Sequence, residues 1–209
     1  MLAFLVSVLL ISTLTAPFAP VTRALAENSS SKKSSITDEP ELTEATAAIV
    51  TDAQGNVLWS KNPDQELPMA SITKVMSAIV ALDSGIDLDK PCEITTPDLE
   101  EGSQLAGLTP DDSPTLRQLL MMMLVYSAND AAYNIAVNVS GSEQAFVDQM
   151  NKKAEEIGMT HTHFQNPHGL DADGHHSTAR DLALMGRYAR EHYPFIASAV
   201  HTRSFTTTV

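Results

Sequence analysis

Cysteine is nearly absent from this 209-residue sequence: Cys92 stands alone, so an internal disulfide is excluded. A disulfide-dense animal scaffold is excluded with it, whereas a chain of this length with an adequate core needs no such cross-link. No histidine neighbours Cys92 in sequence, which reads as a buried structural thiol. Basic residues are scarce as well, with 13 Lys and Arg against 26 Asp and Glu. So acidic a chain is a poor partner for nucleic acid or for anionic lipid. No apolar run reaches a comfortable membrane-spanning length; the run over residues 2–14 is short and is broken by Ser7, Ser12 and Thr13. Internal repeats are absent too.

What is present begins with a leader. After the run comes Ala24-Leu25-Ala26, a small-x-small cleavage pattern ahead of Glu27. Residues 1–26 therefore read as a secretory signal peptide, and the protein as exported, outside the cytoplasm and associated with the cell wall or membrane. The usual basic residue before the apolar run is missing, since Arg23 is the first one. Pro17 and Pro20 argue against an uncleaved anchor. The leader holds one basic and no acidic residue, so residues 27–209 carry 12 basic and 26 acidic side chains, net −14. Residues 27–40, "ENSSSKKSSITDEP", are Ser-rich and read as a flexible linker. Residues 41–209 are the folded domain.

Within that domain, short apolar runs at 45–52 and 56–61 flank "DAQGN" and predict a β-hairpin. Helices are predicted from Pro68 to near Gly85, over 115–125, 130–139, 142–157 and 178–192, the last with a Thr178-x-x-Asp181 capping pattern. A short strand is expected at 93–95, a polar loop at 166–177, and an interrupted strand at 205–209. The order implies an α/β protein whose sheet is finished by residues beyond 209.

The chemistry centres on "LPMASITKVMSAIVAL", residues 67–82, where Lys74 is the one charged side chain. The ordinary fate of such a lysine is to snorkel from the edge of a buried helix. Ser71 lies three residues earlier, on the same helical face. A serine hydroxyl needs a base, and a lysine held in apolar surroundings loses its proton more readily. The tetrapeptide is not specific by itself: Ser29-Ser30-Ser31-Lys32 has the same spacing in the linker. Tyr126-Ser127-Ala128-Asn129 adds, at a helix junction, a second hydroxyl for proton relay and an amide that both donates and accepts. An ordinary turn with Asn129 as helix cap is the alternative. Ser60-Lys61-Asn62 repeats the second pattern on the hairpin.

"PMASITKVMSAIVAL", "LLMMMLVYSANDAAYNIA" and "FVDQMNKKAEEIGMTHTHFQNPHGLDADGHHSTARDLALM" together resemble the D-alanyl-D-alanine carboxypeptidases, the low-molecular-mass penicillin-binding proteins of the bacterial cell wall, from about Ala45 onward. The resemblance implies the penicillin-binding-protein/β-lactamase-like fold, with an antiparallel sheet flanked by helices and a mainly helical lobe. It implies that Ser71 is the acylated nucleophile, Lys74 its general base, Ser127 a proton relay and Asn129 a substrate-binding amide. It implies peptidoglycan stem peptides as substrate and β-lactams as covalent inhibitors. Peripheral membrane association of a longer parent follows from the same resemblance. The family's Lys-Thr-Gly motif is missing, since none of the seven lysines is followed by Thr-Gly. It is expected on a strand beyond 209, and the chain as it stands is expected to be impaired and its sheet incomplete. No Glu-x-x-Leu-Asn follows the second motif, which favours a peptidase over a β-lactamase.

His161, His163, His168, His175 and His176, with Asp171 and Asp173, raise a zinc reading, but their spacing matches no closed site. The Asp171-x-Asp173-Gly174 stretch lacks the later Glu of a calcium loop. No cofactor and no metal are expected. Two functional alternatives remain on the same scaffold: a peptidoglycan DD-endopeptidase, and a non-catalytic domain that binds cell-wall peptide.

Overall fold

Strand β1 (Ala48–Thr51) pairs antiparallel with β2 (Val57–Lys61), setting Ala48 opposite Lys61 and Val50 opposite Trp59. The Asp52 carboxylate closes the turn by accepting the N–H groups of Gln54 and Asn56, an Asx-type turn of the sort that seeds hairpins. The computed structural model describes residues 44–100 and 102–209; the leader over 1–26 and the linker over 27–40 lie outside the described residues. Among the described residues these two strands form the whole sheet. Val50, Val57 and Leu58 remain exposed on it.

Behind the hairpin the chain is helical. A 3-10 turn (Ala70–Ile72) leads into α1 (Thr73–Asp83). Met76, Ala78, Ile79 and Ala81 have almost no exposed surface. A helix that is apolar on all sides must be surrounded, and α1 packs against α2 (Leu116–Val125), α3 (Asn129–Ser140), α4 (Glu143–Ile157) and α5 (Ala179–His192). Local chemistry sets the helix ends. Thr115 and Gln118 form a reciprocal capping box on α2. Ser142 caps α4 and Gly158, left-handed at φ +88°, ends it. Cys92 is buried, and burial pushes its thiol pKa up. No helix among the described residues is long and apolar enough to cross a membrane.

Four details depart from the sequence-based expectations. Thr178 caps α5 by accepting the Asp181 N–H, but the Asp181 carboxylate does not reciprocate. It takes the His161 N–H and the Thr162 hydroxyl, which dock the preceding loop. Residues 93–95 are not a strand. Glu93 bonds to the side-chain amide of Asn138 through both N–H and C=O, and Thr95 does the same with Asn134. A carboxamide offers the same donor and acceptor as a peptide group, so α3 supplies the partner that a strand would have. Residues 205–209 form no ladder; the Gln118 amide holds Thr207 and Thr208 instead. A short helix, α6 (Pro194–Ala199), was not foreseen; Pro194 occupies its first turn.

Asn134 is fully buried and also donates to the Asp130 carbonyl. Asn134→Ala should destabilise by roughly 2 kcal/mol, the scale for stranding buried polar partners. Urea denaturation checks this, and an unchanged midpoint would mean that water replaces the amide without cost.

Candidate active site

Ser71 sits in the 3-10 turn rather than in α1 itself. Lys74 follows about one turn later, in the first turn of α1, and the Ser71 Oγ lies 3.0 Å from its Nζ. The Ser127 hydroxyl donates to the Ser71 Oγ, also at 3.0 Å. Three of the four residues singled out in sequence thus meet in one chain of contacts, Ser127–Ser71–Lys74. Asn129, the first residue of α3, is 4% exposed. Its side-chain amide makes no hydrogen bond among the described residues and caps no helix; its backbone N–H donates to the Gln104 carbonyl at 2.8 Å. The helix-cap alternative for Asn129 therefore does not hold, and its amide stays available to a ligand. Ser60-Lys61-Asn62 lies at the end of β2, with Ser60 opposite Ile49 and Lys61 opposite Ala48.

Lys74 is 2% exposed, so it does not snorkel. Burial lowers its pKa from 10.5 to about 8. The Nζ donates to the backbone carbonyl of His168. That carbonyl belongs to the loop over residues 164–177, which straps across the start of α1. Ser77 donates to the Pro167 carbonyl at 2.6 Å. Thr73 bonds to the His175 Nε2 at 2.8 Å, while the His175 Nδ1 accepts the Gln165 N–H. Asn166 shapes the turn by accepting the Gly169 N–H and donating to the Leu170 carbonyl. One face of the α1 entrance thus contributes Thr73, Lys74 and Ser77 to the same loop. From sequence this stretch is only a polar loop at 166–177.

The five histidines divide accordingly. His168 and His175 are buried, and burial pushes both pKa values down to about 4, so both rings are neutral at pH 7. His161 and His176 face outward toward Glu66, with ring nitrogens 3.5 and 3.7 Å from its oxygens. His163 stacks on His176.

Backbone conformations at the site are unusual. Ala70 has φ +48° and Ser127 φ +63°. Non-glycine residues in this region cost about 1–3 kcal/mol each and concentrate where function demands them. Nothing in the sequence signalled either one. Gly169, at φ +89°, shows why the turn holds: a Cβ there would stand 2.1 Å from the Ala70 carbonyl oxygen. On the far side the buried Asp130 carboxylate collects the N–H groups of Ala106, Gly107 and Leu108, fixing that loop beside Ser127 and Asn129.

Two outcomes follow from this geometry. Gly169→Ala should cost roughly 2–4 kcal/mol, because both the conformation and the contact with Ala70 are violated; an unaltered melting temperature would show that the turn yields freely. For Lys74 the folded pKa lies below the unfolded one, so the folded state binds fewer protons between the two and stability rises with pH there. Wild type should gain about 2 kcal/mol relative to Lys74→Met from pH 8 to pH 10. Urea titrations at both pH values check this; parallel stabilities would mean that Lys74 is not depressed.

Comparison with known proteins gives the family. The family described as D-alanyl-D-alanine carboxypeptidase matches residues 33–208. A D-alanyl-D-alanine carboxypeptidase of Bacillus subtilis is 35% identical over 187 residues, covering 88% of this chain and 46% of that protein. A D-alanyl-D-alanine endopeptidase of Pseudomonas aeruginosa is 37% identical over 163 residues, covering 76% of this chain and 51% of that protein. Among solved structures, a penicillin-binding protein of Listeria monocytogenes in its ampicillin-bound form superposes with a TM-score of 0.70 at 30% identity, covering 78% of this chain and 68% of that one. The chain thus spans about half the length of these curated relatives. Its helices and hairpin are those of the penicillin-binding-protein fold, and by sequence and by structure the chain belongs to the D-alanyl-D-alanine carboxypeptidase family.

Proposed function

We propose that this protein is a serine DD-carboxypeptidase that removes the terminal D-alanine from peptidoglycan stem peptides through an acyl-enzyme at Ser71. The observation that carries the reading is a buried lysine, with a pKa near 8, placed 3.0 Å from a serine hydroxyl. In the acylation step the Ser71 Oγ gives its proton to the neutral Lys74 Nζ and bonds to the carbonyl carbon of the D-Ala–D-Ala linkage. The tetrahedral adduct collapses with cleavage of the C–N bond. Lys74 returns a proton through the Ser127 hydroxyl, which accepts one proton as it donates another, to the departing amine, which leaves as D-alanine. Water then attacks the ester, Lys74 takes its proton, and Ser71 is restored. The Asn129 amide binds the substrate peptide. A β-lactam follows the first half of this course, but its cleaved amine stays tethered and the ester persists. Lys-Thr-Gly, which the family resemblance places on a further strand, is not among these residues.

The leader over 1–26 supports export to the cell wall, with residues 27–40 as a tether and 41–209 as part of the peptidase domain. A DD-endopeptidase acting on cross-links is the second reading, favoured by the Pseudomonas aeruginosa relative's name. Monomeric and cross-linked muropeptides offered side by side distinguish the two.

Ser71→Ala should abolish covalent labelling by a fluorescent penicillin while leaving the fold intact; labelling at unchanged stoichiometry would place the nucleophile elsewhere. Because neutral Lys74 is the active form, acylation should rise roughly tenfold between pH 7 and pH 9. Lys74→Arg should be nearly as damaging as Lys74→Ala, since guanidinium keeps its proton. A fast Arg variant, or a flat profile, would remove Lys74 as the base.

A further inference from the structure

We propose that Glu143 and His168 form a latch that positions Lys74. The inference rests on the acyl-transfer reading above and adds two positioning residues to it.

His168 is engaged at several points. Its carbonyl accepts a hydrogen from the Lys74 Nζ. Its backbone N–H and that of Gly169 are both taken by the Asn166 side chain. Its ring Nδ1 accepts the Leu170 N–H at 3.2 Å. A neutral ring whose Nδ1 accepts carries its hydrogen on Nε2. That Nε2 faces the Glu143 Oε1 at 3.8 Å. The gap exceeds a hydrogen bond, and a shift of about 1 Å closes it.

Glu143 is the first residue of α4, where the helix dipole favours an anion. An exposed carboxylate would serve that purpose. This one is instead turned inward, half-buried enough that desolvation raises its pKa. No other ion pair or hydrogen bond engages its side chain among the described residues. Its place makes sense as an acceptor for the buried imidazole. α4 also grips the same loop through Asn151, which bonds to both the N–H and the C=O of Phe164. The loop is thus held by α4 on one side and by Thr73, Lys74 and Ser77 on the other.

The consequence reaches Lys74 through valence. A neutral amine has two N–H groups and one lone pair. A carbonyl can only accept, so the His168 oxygen always takes an N–H. The lone pair is thereby left free to turn to the Ser71 hydroxyl, the orientation that proton transfer requires. A carbonyl that swings away lets the amine present an N–H to Ser71 instead, which is unproductive. The aim of the carbonyl depends on Asn166 at one end of the residue and on the imidazole anchored against Glu143 at the other.

Glu143→Gln and Glu143→Ala separate the latch from a plain helix-end effect. Both remove the charge at the start of α4 and should lower its stability alike. Only the Gln amide oxygen can accept the His168 Nε2–H. Acylation by a fluorescent penicillin should therefore stay near wild type in Gln and fall by about tenfold in Ala, with unchanged non-covalent affinity. A second readout needs no activity. In the whole chain labelled with 13C-lysine, Lys74 should titrate near 8 in wild type and Gln, and shift upward in Ala as water reaches the amine. Glu143→Leu, which fills the space without accepting, should behave as Ala does. Gln and Ala (or Leu) that are alike in both readouts would overturn the latch. Labelling that survives Ser71→Ala, with the Lys74 titrations of the Glu143 variants still separated, would overturn the acyl-transfer reading and leave the latch standing as a positioning device.

Discussion

The buried amine of Lys74 is the constraint around which the rest is arranged. Holding a lysine where its pKa falls to about 8 costs about 3 kcal/mol at neutral pH. The apolar helix α1 imposes that environment, because its remaining faces are covered by α2 to α5. The loop over 164–177 completes it by supplying a carbonyl, which solvates the amine without donating a charge. An opposing carboxylate in the same place would raise the pKa and leave the lysine protonated. The neutral acceptor preserves the basicity that the proposed chemistry uses.

Strain and rigidity meet at the same point. Ala70 and Ser127 occupy left-handed backbone conformations on either side of the hydroxyl pair. Neither would persist in a loose loop. The Ala70 turn is pressed against Gly169, and the Ser127 turn leads into α3, whose Asp130 gathers three backbone N–H groups from the neighbouring loop. Two well-packed supports thus hold two hydroxyls at hydrogen-bond distance, from segments 56 residues apart in sequence.

The acidic surface has little part in this. Its bidentate pairs, such as Arg117 with Asp89 and Arg180 with Asp64, are exposed and contribute little to stability. The polar groups that matter are buried and hydrogen-bonded: Asn134, Asp130, Thr73, His168 and His175. Asn134, Asp130 and Thr73 each dock a loop to a helix.

Much of the architecture could be read from local pattern. The hairpin, α1 to α5 and their caps follow from apolar periodicity, Asp52, Ser142, Gly158 and Thr178, all of which act within a few residues. Ser71, Lys74 and Ser127 were legible because a lone charge in an apolar helix, and a serine at a helix junction, are anomalies visible in one dimension. The strands expected at 93–95 and 205–209 were misread, since side-chain amides of Asn134, Asn138 and Gln118 took the place of a ladder. Sequence alone thus determined the helical frame and singled out Ser71, Lys74 and Ser127, which the fold brings together. Tertiary structure alone decided that His168 lends its carbonyl, that Glu143 faces its ring, and that Gly169 leaves room for Ala70. Backbone carbonyls and excluded volume carry no side-chain signature, so their roles exist only once distant segments have been packed together.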